Sequence, residues 1–136
     1  MQKIVTVSEM RAFAAGLKAS GKTIALVATQ GALHAGQEGL IRGAGERADV
    51  VVVSVFVNPL QFGPNEPLAH YPRRFEADLA ICDAAGADVV FAPAQEEIYP
   101  RGYSTYVTED VTSRVLCGPS RPTPCSIPII PQRSGH

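Results

Sequence analysis

The sequence predicts an α/β fold built on a doubly wound parallel sheet. Three observations carry that expectation. Apolar, largely β-branched runs at 23–27, 49–57 and 88–92 read as strands. Segments with apolar residues at helical spacing separate them. The resulting β-α-β-α-β order implies parallel pairing through right-handed crossovers.

Each element has its own justification. Ser8 is expected to cap a first helix, in which Met10, Phe13, Ala14 and Leu17 follow i, i+3, i+4, i+7 spacing and Gly21 is the stop. A strand near 23–28 follows, then a glycine-containing turn, then a helix carrying Leu40, Ile41 and Ala44. The run Val50-Val51-Val52-Val53-Ser54-Val55-Phe56-Val57 is continuous enough to be a strand covered on both faces. Pro59, Pro64 and Pro67 keep the loop 58–71 irregular. Pro72 suits the first turn of a third helix, whose face is Phe75, Leu79 and Cys82 and which Gly86 ends. Asp88 shapes the entrance to a strand at 88–92. No internal repeat is present.

The chemistry collects where strands end. Val27-Ala-Thr-Gln-Gly-Ala-Leu-His-Ala-Gly-Gln37 places bare backbone and a histidine between a strand and a helix N-terminus, where N–H groups and the helix dipole favour a phosphate. His34 has a hydrogen bond to offer a phosphoryl oxygen. The competing reading is an ordinary strand-to-helix turn with a surface histidine. The second turn, Asn58-Pro-Leu-Gln-Phe-Gly-Pro-Asn-Glu66, also lies at a strand's carboxyl end, the ligand edge of open α/β sheets. Gln61 offers donors and an acceptor suited to a hydroxy acid; taken alone, it reads more readily as an ordinary loop amide.

Composition bounds the alternatives. The 136 residues fit one ordinary domain, and 46% apolar with 18% charged residues reads as soluble and globular. A net charge of −1 gives no pointer to nucleic acid or an anionic membrane. No apolar run approaches the roughly 20 residues that span a bilayer, and the start lacks a signal-peptide pattern. Cys82, Cys117 and Cys125 show no metal-ligand spacing and no even count for a disulfide framework, so a reducing cytoplasm is the expectation. Tyr71, Arg73 and Arg74 read as a solvated basic turn rather than an anion site, His70 as a loop residue and His136 as a chain end.

Taken in order, several segments resemble the amino-terminal half of the pantothenate synthetase (pantoate–β-alanine ligase) family. They are Thr29-Gln-Gly-Ala-Leu-His-Ala-Gly, Ser54-Val-Phe-Val-Asn-Pro-Leu-Gln-Phe-Gly-Pro-Asn-Glu, Tyr71-Pro-Arg, Gly86-Ala-Asp-Val-Val-Phe-Ala-Pro, Glu97-Ile-Tyr-Pro and Leu116-Cys-Gly-Pro-Ser-Arg-Pro. The Asn-Pro-x-Gln-Phe-Gly-Pro string is the most specific of them. The resemblance implies a Rossmann-like sheet of the nucleotidyltransferase (HIGH-motif) type, here incomplete. It also implies an ATP-dependent, AMP-forming ligase joining pantoate to β-alanine through a pantoyl-adenylate, with ATP as substrate, Mg²⁺ on its phosphates, and a homodimeric state.

Residue roles follow by resemblance. The ATP loop corresponds to Gln30, Gly31, Ala32, Leu33, His34, Ala35, Gly36 and Gln37. Gln30 stands where the family has a methionine near pantoate and the nucleotide. His34 matches the first histidine of the His-x-Gly-His element. Gln37 replaces the second, usually assigned as the general acid; an amide donates a hydrogen bond but transfers no proton near neutral pH. Ala28 stands in place of a usual proline and Pro67 in place of a usual acidic residue. Gln61 matches the glutamine that contacts pantoate and β-alanine. Arg121 is either structural or a contact to a partner subunit.

Resemblance covers residues 1–122, expected to form a partial nucleotide- and pantoate-binding domain, and stops at a Pro-rich stretch, 123–136, with Pro124, Pro128 and Pro131. An interrupted reading frame is one expectation for that tail. Two further readings compete with the ligase: a non-catalytic nucleotide- or pantoate-binding remnant, and another nucleotidyltransferase of the same fold. The 58–66 string speaks against the latter.

Overall fold

The computed structural model describes residues 1–59 and 74–104. Within them the order is β1 (Gln2–Ile4), α1 (Val7–Ala19), β2 (Ile24–Thr29), α2 (Ala35–Gly45), β3 (Val50–Val55), α3 (Phe75–Ala84), β4 (Val89–Phe91) and α4 (Gln95–Ile98). The strands form one sheet in the order β1-β4-β3-β2, every neighbouring pair parallel. The three expected strands are present, each displaced or shortened by a residue or two. A fourth, β1, was not expected: three residues carry too little periodicity to announce a strand, and β1 exists because it pairs with β4.

Topology dictates the layering. The chain crosses the whole sheet between β1 and β2, then steps back one strand at a time through β3 to β4. Reversing direction while keeping right-handed crossovers puts the intervening helices on opposite faces. The packing agrees. Met10, Phe13 and Leu17 of α1 cover Ile4, Val50, Val52 and Val89. Ile41 of α2 and Cys82 of α3 pack with Val27, Val51, Val53 and Val90 on the other face. Val50, Val51, Val52 and Val53 are therefore all buried, which explains the unbroken valine run of β3.

Helix ends follow local chemistry, with two departures from expectation: the cap of α1 differs, and α3 begins at Phe75 after an Arg74 N-cap with non-helical backbone, later than the first turn expected at Pro72. Thr6, not Ser8, is the N-cap of α1: its Oγ1 accepts from the Glu9 N–H, and its hydroxyl donates to Glu9 Oε2. The Thr-x-x-Glu spacing is that of a capping box and outcompetes the serine two residues on. Gly21 and Gly86 both close Schellman motifs, with Lys22 N–H to Leu17 O at 3.0 Å and Ala87 N–H to Cys82 O at 2.9 Å. Of the apolar residues read on the second helix, Leu40 is 63% exposed, whereas Ile41 and Ala44 face the sheet. Asp88 behaves as expected, its Oδ2 accepting from the Val51 N–H at 2.8 Å.

Candidate active site at the carboxyl edge of the sheet

Residues Ile24 to Thr29 of β2 run in register against Val50 to Val55 of β3, so the turns that follow the two strands leave the sheet side by side. A cavity of about 490 Å³ opens there, bordered among the described residues by Thr29, Gln30, Gln37, Ser54, Phe56 and Asn58. A second cleft of about 410 Å³ lies towards β1 and β4, reached by Gly31, Val57, Asp78 and Pro93. Gln30 and Phe56 border both. The glycine turn and the Asn58 turn thus share one edge, as the strand order required.

The glycine turn is tightly organised. Gly31 adopts φ +83° and Ala32 φ +52°, a left-handed passage that reverses the chain between β2 and α2. A Cβ at Gly31 would sit 3.2 Å from Asp78 Oδ2 and 3.4 Å from Val55 Cγ1, so the position lacks room as well as conformational tolerance. Thr29 Oγ1 donates to Ser54 O at 2.8 Å and accepts from the Gly31 N–H at 3.3 Å, pinning the turn to β3.

The N–H groups expected to face a phosphate largely have protein partners. Asp78 Oδ2 accepts from Ala32 N–H at 2.9 Å, and Oδ1 from Leu33 N–H at 2.7 Å. His34 N–H donates to Gln37 Oε1 at 3.0 Å, and Gly36 N–H donates to His34 Nδ1 at 3.1 Å. His34 is the N-cap of α2 and is exposed. An Nδ1 that accepts leaves the ring proton on Nε2, the nitrogen outside the cap and open to a ligand. The geometry commits Nδ1 to the turn and leaves Nε2 outside the cap. Gln37, half-buried, spends its carbonyl oxygen on the cap and borders the cavity shared with Asn58.

Two residues of the Glu97-Ile-Tyr-Pro segment also hold this edge. Glu97 Oε2 accepts from the Val7 N–H at 2.9 Å at the start of α1, and Tyr99 Oη donates to Asn58 Oδ1 at 3.0 Å. The Tyr99 ring is tilted against Phe56 and meets Tyr103 edge-on, with ring centroids 6.3 and 5.2 Å apart. Sequence reasoning missed Asp78, although a signal existed. Asp78 stands three residues after Phe75 and four before Cys82, on the apolar face of α3, where a carboxylate needs partners. Arg74, at the N-cap position of α3, is exposed, in keeping with a solvated turn. Gln61, Pro67, His70, Tyr71, Pro72, Arg73, Cys117, Arg121, Cys125, His136 and the 123–136 tail lie outside the described residues.

The family model for pantoate-beta-alanine ligase matches residues 2–125. The chain belongs to the pantoate–β-alanine ligase family. Pantothenate synthetase of Geobacter sulfurreducens is 52% identical over 122 residues, covering 90% of this chain and 43% of that relative. The Koribacter versatilis enzyme is 53% identical over 122 residues, covering 90% and 42%. Crystalline pantothenate synthetase of Thermus thermophilus matches with a TM-score of 0.72 at 41% identity, over 85% of this chain and 40% of that one. The Francisella tularensis ligase, solved with β,γ-ATP and β-alanine, matches with a TM-score of 0.81 at 35% identity, over 90% and 47%. The sheet is therefore of the type seen in these ligases, and the chain spans less than half the length of the relatives it matches. Among the described residues, no helix is long and apolar enough to cross a membrane, and no group of three or more His, Cys, Asp or Glu side chains forms a metal cage.

Proposed function

We propose that this chain supplies the nucleotide- and pantoate-binding part of a pantoate–β-alanine ligase. In the first step the pantoate carboxylate attacks the α-phosphorus of ATP; the bond to the β-phosphate bridging oxygen breaks, and pyrophosphate leaves. In the second, the β-alanine amine attacks the acyl carbon of the mixed anhydride and loses a proton as AMP departs. Neither step needs a protein nucleophile; both need positioning, water exclusion and stabilised phosphoryl charge. His34 Nε2 and the start of α2 are the proposed contacts to ATP along Gln30–Gln37, and Gln30 with Gln61 the proposed contacts to pantoate and β-alanine. Mg²⁺ would enter on the phosphates of the substrate ATP. A cytoplasmic setting and a homodimer belong to the same proposal and rest on the family.

The observation that carries this reading is the shared cavity, where Gln30 and Gln37 from one turn meet Asn58 from the other. The test is pantoate-dependent release of pyrophosphate from ATP, followed by AMP formation on adding β-alanine. We expect turnover only when the remainder of a family-length chain is supplied as well. Gln37→His alone should not restore it, because the chain spans less than half of the length of its relatives and one general acid accounts for only roughly 10²–10⁴-fold. Family-like turnover by the 136-residue chain alone would overturn this assignment of roles.

A second reading, binding without catalysis, draws on one observation: the side chain at the general-acid position is an amide already engaged in the α2 cap. Calorimetric titration separates the two. In either reading Gln61→Ala should weaken pantoate binding by about 1–3 kcal/mol, the scale of leaving a buried polar partner unpaired. Pantoate binding without any pyrophosphate release, even with the downstream part supplied, would favour the second.

A further inference from the structure

Asp78 is 3% exposed, and among the described residues only it and Thr29 are buried polar or charged side chains. A buried carboxylate is costly unless charge and lone pairs are met. Here Oδ1 and Oδ2 take two successive backbone N–H groups, Leu33 at 2.7 Å and Ala32 at 2.9 Å, across 45 and 46 residues of sequence. Asp78 also lies in the first turn of α3, where the helix dipole favours a negative charge. Gly31 approaches it so closely that an added Cβ would sit 3.2 Å from Asp78 Oδ2 and press on the carboxylate. The arrangement is that of a bound anion in a backbone cradle, with the anion built into the protein.

We propose that Asp78 is the resident anion of the glycine turn and a positioning residue for His34. By taking the N–H groups of Ala32 and Leu33, it excludes phosphate from them. It holds the left-handed Gly31–Ala32 passage, and through Leu33 it fixes where α2 begins and so where the His34 ring lies. A nucleotide is thereby left to the outer side of the turn, His34 Nε2 and the cavity by Gln37, rather than the backbone of Ala32 and Leu33. The last step rests on the proposed ATP site; the clamp itself does not.

The experiment is NMR on the 136-residue chain, read as amide hydrogen exchange at Ala32 and Leu33 with the Val53 amide of β3 as fold control, and as the ¹⁵N shifts of the His34 ring. In the native chain Ala32 and Leu33 should be protected, and inorganic phosphate should leave their shifts unmoved. In Asp78→Ala, with Val53 still protected, both amides should exchange about 10–100-fold faster, the scale of a hydrogen bond to a charged acceptor. His34 should lose its single tautomer, and phosphate or acetate should now shift Ala32 and Leu33 where chloride does not. If that variant fails to protect Val53, Asp78→Asn decides, since one retained oxygen should protect only one of the two amides. Unprotected Ala32 and Leu33 in the native chain, phosphate-dependent shifts there, or a His34 ring indifferent to Asp78 in a folded variant would each overturn the proposal. ATP that moves no resonance of the turn would count against the ATP site alone and leave the clamp standing.

Discussion

His34 and Gln37 hold the start of α2 from both directions. The Gln37 carbonyl oxygen accepts the His34 N–H at 3.0 Å, while His34 Nδ1 accepts the N–H of Gly36, one residue before Gln37. Gln37 is therefore the third helical residue of a capping box, a place where glutamine and glutamate are favoured. Gln37→Ala should destabilise the chain by about 0.5–1 kcal/mol, and Gln37→Glu should not, because it keeps the acceptor and adds a charge favoured by the dipole. Urea denaturation of the three proteins reads the difference; equal midpoints for the native chain and the Gln37→Ala variant would remove the capping role.

Two glycines of the same region should respond with opposite signs. Gly31→Ala forces a side chain into a left-handed conformation and against Asp78 Oδ2, at roughly 1–2 kcal/mol for the backbone alone. Gly39, inside α2, has nothing within 4 Å of an added Cβ, so Gly39→Ala should stabilise by about 0.5–1 kcal/mol. Thermal melts of both variants check the pair, and stabilisation by Gly31→Ala would contradict the turn geometry.

Neighbouring residues of α2 should also differ sharply. Ile41 is fully buried and Leu40 is 63% exposed. Ile41→Ala should cost about 2–5 kcal/mol through lost burial and a cavity. Leu40→Ala should stay within about 0.5 kcal/mol. Comparable losses at the two sites, measured by chemical denaturation, would mean that the helix is rotated from its described face.

Stability should fall with rising alkaline pH through Cys82. Burial pushes this thiol from 9.0 up to about 11, with the Asp78 carboxylate adding to the shift. Between those values the folded chain keeps a proton that the unfolded chain has released. The unfolded state therefore binds fewer protons, and the stability of the fold declines across that window, by about 2–3 kcal/mol in total. Cys82→Ala should abolish this part of the pH dependence. An unchanged slope between the two proteins, in urea titrations at pH 8 to 11, would refute it.

At the acid end the sign reverses. Backbone and side-chain hydrogen bonds from Thr23, opposed in part by desolvation and aided by Lys22, hold the Asp49 carboxyl below its usual value. Its contribution is present above the ordinary carboxylate pKa and is lost as pH falls through the lowered one. Asp49→Asn should lower stability by a constant amount at neutral and alkaline pH and flatten the acid limb, a comparison that urea denaturation at several pH values, monitored by circular dichroism, provides.

The sequence alone settled the fold class. An unbroken valine run needs cover on both faces, and glycine-stopped amphipathic segments between such runs leave a doubly wound parallel sheet as the outcome. It also placed the two chemistry-bearing turns at one edge, because parallel strands put all their carboxyl ends on the same side. The motif residues Gln30, His34 and Gln37 were legible for the same reason, being close together in the chain. Tertiary structure decided what local pattern does not encode. The strand Gln2–Ile4 exists only through its pairing with Val89–Phe91, since three residues have no periodicity to read. Leu40 and Ile41 are equally apolar in sequence, and only the direction from which the sheet meets α2 selects Ile41. Asp78 and the Ala32 and Leu33 N–H groups are 45 and 46 positions apart, so no window along the chain joins them. Hydrogen bonds of that span arise from packing α3 against the β2–α2 turn, and they satisfy N–H groups that the turn's own residues leave unpaired.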